Sequence, residues 1–162
     1  MTGGFHLAQI NIGRLKAHID DPQIADFKDN LDAINALAEG SPGFVWRFTG
    51  DGNNATDVQA FDDPLMAINM SVWESVAALG AFVYRSEHVA FMRRRREWFH
   101  GVDNFMALWW TPAGHRPTPQ EAIARLATLG RLGPTSEAFT FKTPHPAPDA
   151  AHPPLPILDE CA

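Results

Sequence analysis

The chain has 162 residues, of which 45% are hydrophobic and 20% charged, and its formal net charge is -6. That is enough apolar material for the core of one domain of ordinary size, while the acidic balance argues against a nucleic-acid module, which carries a basic face. The single cysteine, Cys161, leaves no disulfide within the chain and no cysteine-type zinc site; no apolar run approaches the roughly 20 residues that span a bilayer, and no signal-peptide pattern is visible, so a cytoplasmic protein without membrane or nucleic-acid partners is expected.

In chain order, Phe5 to Leu15 reads as a first strand, with Leu7, Gln9 and Asn11 on one face and Ala8, Ile10 and Ile12 on the other. Asp21-Pro22 announces a helix, because Asp is a good N-cap and Pro suits the first helical position. Its apolar stripe is Ile24, Phe27, Leu31, Ile34 and Leu37, and Gly40 and Pro42 stop it. Phe44 to Thr49 is a short aromatic strand, and Gly50-Asp51-Gly52-Asn53-Asn54 is turn chemistry. Ala55 to Phe61 is open between strand and ordered loop, and Asp62-Asp63-Pro64 is another turn. Leu65 to Trp73 is the next strand.

Ser75 caps a helix running toward Arg85, and Ser86 reads as a second cap, so a break or kink is expected there before the helix continues to Phe99. Within it, Arg93 to Arg96 reads as a solvated face with local ion pairs, a phosphate-binding patch being the minor reading. Asn104 to Thr111 is a strand of large apolar groups. Thr118-Pro119-Gln120-Glu121 is a capping box that opens a third helix, ending near Gly133-Pro134. Ala138 to Lys142 is a candidate last strand. Six of the 13 prolines lie between Pro144 and Pro156, so residues 143–162 read as an extended tail, dispensable for folding, that could dock through Leu155, Ile157 and Leu158.

The order is close to a βαββαβ split motif, with the domain over residues 1–142. The fold class is therefore α+β: a ferredoxin-like antiparallel sheet with helices on one face. Two strands are apolar on both sides. Phe105, Ala107 and Trp109 oppose Met106, Leu108 and Trp110, and Ile68, Met70 and Val72 oppose Asn69, Ser71 and Trp73. Such strands need cover on both faces. The third helix can supply some; a second subunit's sheet is the simpler source, which makes the expectation a homodimer forming a dimeric α+β barrel.

One constellation points to chemistry. Asn69, Ser71 and Trp73 alternate on one strand face, and Tyr84 and His88 follow at i, i+4 spacing. An Asn can hold a substrate carbonyl or oxyanion, a His can act as base or ligand, and a Trp supplies a flat apolar wall. A plain structural reading stands beside this: Asn69 and Ser71 satisfying each other in a buried sheet, Trp73 as core, Tyr84 half-buried, His88 at the surface. His6, Gln9 and Asn11 on the first strand form a second polar set that lines the same cavity or marks the strand's rim. Trp46 and Trp109 complete the aromatic inventory for a small-molecule ligand. The seven histidines show no HxH or HxxxH spacing, and no metal site is expected. Neither a phosphate loop nor a nucleophile elbow is present.

Asn69-Met70-Ser71-Val72-Trp73-Glu74-Ser75 followed by Phe82-Val83-Tyr84-Arg85-Ser86-Glu87-His88 resembles the bacterial domain-of-unknown-function family 3291. So do Phe5 to Asn11, Ser41 to Arg47, Arg93 to Phe99, Leu108-Trp109-Trp110 and Ala113-Gly114-His115. The likeness spans about residues 5–142 and implies the wider dimeric α+β barrel superfamily. That group holds cofactor-free monooxygenases, haem-degrading oxygenases, other haem enzymes and purely binding members. Asn69 and Trp73 match by type and separation an Asn–Trp pairing of several such oxygenases. The resemblance thus implies catalytic roles for Asn69 and Trp73, to which the constellation adds Tyr84 and His88, and a monooxygenase-like reaction on a small aromatic or polyketide-like molecule without a cofactor. A haem protein with His88 as axial ligand and a non-catalytic ligand-binding dimer are the alternatives.

Overall fold

The structure, a computed structural model, describes residues 4–50, 61–101 and 105–148. Strand β1 (Phe5–Leu15) is followed by helix α1 (Ala25–Glu39), strands β2 (Phe44–Arg47) and β3 (Met66–Trp73), and helix α2 (Val76–Arg85). Two short helices, α3 (His88–Arg93) and α4 (Arg95–Trp98), lead into a two-residue strand β4 (Phe99–His100). Strand β5 (Met106–Pro112) and helix α5 (Pro119–Leu132) complete the order. The reading of residues 55–60 lies outside the described residues.

All strand pairings are antiparallel. β1 is central: β3 runs along one side, β5 along the N-terminal part of the other side and β4 along its last two residues, while β2 extends the sheet beyond β3. The order β2-β3-β1-β5 is that of a ferredoxin-like split motif. The sequence reading of β1 and its two faces holds throughout. Register places Gln9 opposite Ser71 and Leu108, and Ile10 opposite Met70 and Ala107, so every second residue of three strands shares a face.

Local chemistry sets the helix ends. Asp21 accepts the amide of Gln23 at 2.8 Å at the head of a 3-10 turn, Pro22–Ile24, that runs into α1. Ser75 Oγ accepts the Ala78 amide at 3.0 Å. The capping box at α5 closes in both directions, Glu121 N–H donating to Thr118 Oγ1 at 3.2 Å and Thr118 N–H to the Glu121 carboxylate at 3.3 Å.

One face of the sheet carries α1 and α2. There Leu7, Trp73 and Leu108 pack with Ala38, Leu79 and Phe82, and at the far end Leu15 packs with Ile24, Phe27, Trp98 and Phe99. The opposite face carries α5: Ala122, Leu126 and Leu129 close over Ala8, Ile10, Ile12, Ile68, Met70, Val72, Ala107 and Trp109. These eight strand residues are at most 6% exposed. The α5 face of these strands is therefore covered within one chain, while Phe105 beside β5 stays 38% exposed.

Of Ala138 to Lys142, only Phe139 pairs with β5, exchanging two backbone hydrogen bonds with Leu108 at 2.8 and 2.9 Å. The start of the Pro-rich segment docks on the same strand. Trp110 Nε1 donates to the carbonyl of His145 at 2.8 Å, and the His145 ring lies 5.7 Å from that of Phe139. Leu155, Ile157 and Leu158 lie outside the described residues.

Candidate functional site

Between the sheet and the helices on the α1–α2 face lies a cavity of about 340 Å³, within the range of small-ligand sites. Leu31 and Ile34 of α1 line it and are only half-buried, although they belong to the stripe that faces the sheet. Leu31 and Ile34 pack against the core on one side and face the cavity on the other.

The floor is a polar ladder on β1 and β3. Gln9 Nε2 donates to Asn69 Oδ1 at 2.7 Å and to Ser71 Oγ at 2.8 Å. Trp73 Nε1 donates to the same Ser71 oxygen at 2.8 Å. Asn11 Nδ2 adds contacts of 3.3 Å to Gln9 Oε1 and to Asn69 Oδ1. The sequence juxtaposed Asn69 and Ser71; the structure joins them through Gln9, which is 5% exposed and occupies the middle of the ladder. Both donor hydrogens of the Gln9 amide are used. The Nδ2 group of Asn69 has no protein partner among the described residues, so it is available to a ligand carbonyl or oxyanion. Trp73 is fully buried, edge-on to Phe44 and stacked on Phe82 with centroids 5.3 Å apart in both cases.

His88 enters from the helical wall. The expected break at Ser86 occurs, and its cause is visible. Ser86 adopts an extended backbone (φ -101°, ψ -179°), its hydroxyl donates to the Phe82 carbonyl, and it accepts the amide of His88 at 3.1 Å. The chain turns a corner there, so Tyr84 and His88 do not share a helix face. His88 lines the cavity with its ring 4.8 Å from Phe82. Tyr84 points outward, is 61% exposed and meets Phe141.

Burial lowers the pKa of His88 below its usual 6.5, and the Val83 carbonyl near Nδ1, at 3.4 Å, opposes this only in part. The ring is neutral at pH 7. With the Nδ1 proton directed to that carbonyl, Nε2 is left as a basic lone pair. In the unfolded chain the group protonates near pH 6.5 while the folded one stays neutral, so its stabilising contribution is full above about pH 6.5 and is lost as pH falls toward the folded value. His88→Gln is therefore expected to flatten the loss of stability on acidification, read as a smaller shift in urea midpoint between about pH 7.5 and 5.5.

Three further sequence candidates fall elsewhere. Trp109 is buried on the α5 face, and Trp46 packs against that same cluster beside Phe48. His6 does not line the cavity either; its Nδ1 is buried without a hydrogen-bond partner among the described residues. Of the ten candidates, Gln9, Asn11, Asn69, Ser71, Trp73 and His88 come together, and His6, Trp46, Tyr84 and Trp109 do not.

Sequence reasoning missed Arg95. Its neighbour Arg94 behaves as a surface cation, bonding the Glu97 carboxylate at 2.7 Å and Asp26 at 2.8 Å. Arg95 instead turns inward and lines the cavity. The signal was its place in the stripe Phe91, Arg95, Trp98, Phe99, which recurs at helical spacing and is otherwise aromatic.

The family model described as "Domain of unknown function (DUF3291)" matches residues 6–154, which includes part of the Pro-rich segment. No curated protein matches the chain. Among solved structures, the PA3566 protein of Pseudomonas aeruginosa is 14% identical, with a TM-score of 0.47 over 73% of this chain and 100% of its own. The NE2512 protein of unknown function from Nitrosomonas europaea is 15% identical, with a TM-score of 0.46 over 73% of this chain and 98% of its own. A candidate antibiotic biosynthesis monooxygenase from Nitrosomonas europaea is 11% identical, with the same score and the same coverage.

Proposed function

The chain belongs to the family of domain of unknown function 3291, and from that premise we propose that its cavity holds a small, largely aromatic molecule on which it acts as a cofactor-free monooxygenase-like enzyme. The observation that carries this reading is the joining of a mostly apolar, aromatic-walled cavity with a neutral histidine and an amide ladder on its floor. Such chemistry asks little of a protein. Nε2 of His88 removes a proton from an acidic C–H of the substrate, and Asn69 Nδ2 holds the carbonyl oxygen on which the negative charge gathers. The carbanion reduces dioxygen directly. In the overall reaction a methylene group and one dioxygen give a ketone and one water. One oxygen atom forms the new carbonyl, and the other leaves as water with the two methylene hydrogens. Excluding bulk water favours the step.

Anthrone is a suitable probe, because its methylene group is acidic and lies between two rings. The expected result is dioxygen uptake equal to anthraquinone formed, without added metal or cofactor, and its loss in His88→Gln. Binding of anthrone without turnover would leave a ligand-binding module and remove the enzyme. The haem alternative uses the same nitrogen: a Soret shift on adding haem that disappears in His88→Gln would favour it. The homodimer belongs to this proposal as well. Support comes from Tyr84, Phe105 and Phe141 around a shallow groove beside β5, of which Tyr84 and Phe105 are exposed. Light scattering is expected to give twice the 17.9 kDa chain mass.

A further inference from the structure

We propose that the cavity is built for an aromatic molecule bearing one negative charge, a carboxylate, whose anionic group is received by the guanidinium of Arg95. This rests on the reading of the cavity as an aromatic-ligand site and adds to it the charge of the ligand and the residue that selects it.

The first argument is the distribution of charge. The chain carries 19 acidic residues against 13 basic ones. Among the described residues none of those acids lines the cavity, whereas Arg47, Arg95, His18 and His88 do. A described lining with arginines and no carboxylate favours an anion, and low-dielectric walls strengthen that preference. Arg47 is bonded to Glu39 at 2.6 Å. Arg95 has no carboxylate partner among the described residues. Among the described residues its one hydrogen bond runs from a terminal nitrogen to the Ile12 carbonyl at 3.0 Å. A guanidinium has five N–H donors and stays charged, so most of its donors are uncommitted. A half-buried cation in that condition is unfavourable until an anion joins it.

The second argument is geometric. Arg95 is held in place rather than left to swing. Its guanidinium carbon lies 4.9 Å from the centre of the Phe99 ring and 5.1 Å from that of Phe105. Gly13 makes room for it: a Cβ there would lie 2.5 Å from Phe99 and 3.1 Å from an Arg95 nitrogen. Gly13 and Asn11 are alternate residues on one face of β1, and both line the cavity, so Gly13, beside which the cation lies, and Asn11 of the amide ladder stand about 7 Å apart along one strand. That span fits a planar ring system with a carboxylate at one end and a carbonyl or hydroxyl at the other. One cation without a carboxylate partner among the described residues calls for a single negative charge. Burial draws the pKa of Arg95 down, the direction a fixed anion would reverse.

The test compares 1-naphthoate with 1-naphthamide, which share a ring system and differ in charge, by calorimetry on the full chain. The acid is expected to bind at least about tenfold more tightly, with the ratio shrinking as salt rises. Arg95→Met is expected to abolish the preference, bringing acid and amide to equal affinity. Equal affinities in the unaltered protein, or a preference that survives Arg95→Met, would overturn the anion site while the aromatic-ligand reading stands. Failure of both probes to bind would overturn the aromatic-ligand reading, and the anion site with it. Should Arg95→Met not fold, the acid–amide ratio of the unaltered protein decides alone.

Discussion

Trp73→Ala is expected to destabilise the protein by about 3–5 kcal/mol, lowering its melting temperature by roughly 2–4 °C for each of these. Three losses combine. The indole is fully buried, so its removal leaves a hole between β3 and α2. Phe44 and Phe82 lose the ring each packs on. Ser71 loses one of the two donors that fix its hydroxyl, which weakens the anchor of the Gln9 amide. Trp73→Phe separates these effects. It keeps most of the packing and removes the hydrogen bond, for which about 1 kcal/mol is expected. Calorimetric unfolding of both variants checks the ranking; equal losses would show that the hydrogen bond, not the ring, carries the effect.

Gly43→Ala is expected to rival it, although only one methyl group is added. Gly43 lies in the turn between α1 and β2 at φ +83°, where a side chain strains the backbone by about 1–2 kcal/mol. Its Cβ would also stand 2.5 Å from the Cβ of Ala78 in α2. Neither atom can rotate away, so one element must shift, at about 1–3 kcal/mol. The total is about 2–5 kcal/mol. Ala78→Gly in the same chain relieves the clash alone, and urea midpoints are expected to show the backbone share remaining. Complete rescue would mean that the left-handed turn is not strained by alanine.

The sequence made the sheet legible because its signals are local. Alternation along β1 and β3, the caps at Asp21, Ser75 and Thr118, and the extended Ser86 each act within a few residues. Six of the ten site candidates were legible for the same reason, since they lie on two strand faces and at a helix start. What failed was inference across a corner or through the sheet. Tyr84 was joined to His88 by a helical spacing that the break at Ser86 interrupts. Trp109 has the right chemistry on the wrong face, which depends on the register of β5 against β1 and cannot be read from β5 itself. The cover given by α5 depends on a long return of the chain. Arg95 was hidden by its neighbours, because four arginines in a row resemble a solvated face until the aromatic stripe through the second pair is followed.

The same alternation separates two kinds of change in β1. Ala8, Ile10 and Ile12 answer to α5, while Gln9, Asn11 and Gly13 answer to the cavity. Substitutions at the first three register in how well the protein folds. Under the proposed function, Gln9 and Asn11 of the second three set the amide ladder beneath the ligand. Two adjacent codons can therefore drift under unrelated selection, one for persistence of the fold and the next for choice of ligand. Gly13 couples the two, since a Cβ there would lie 2.5 Å from Phe99 in the core, which must shift, and 3.1 Å from Arg95 in the cavity, which is pressed.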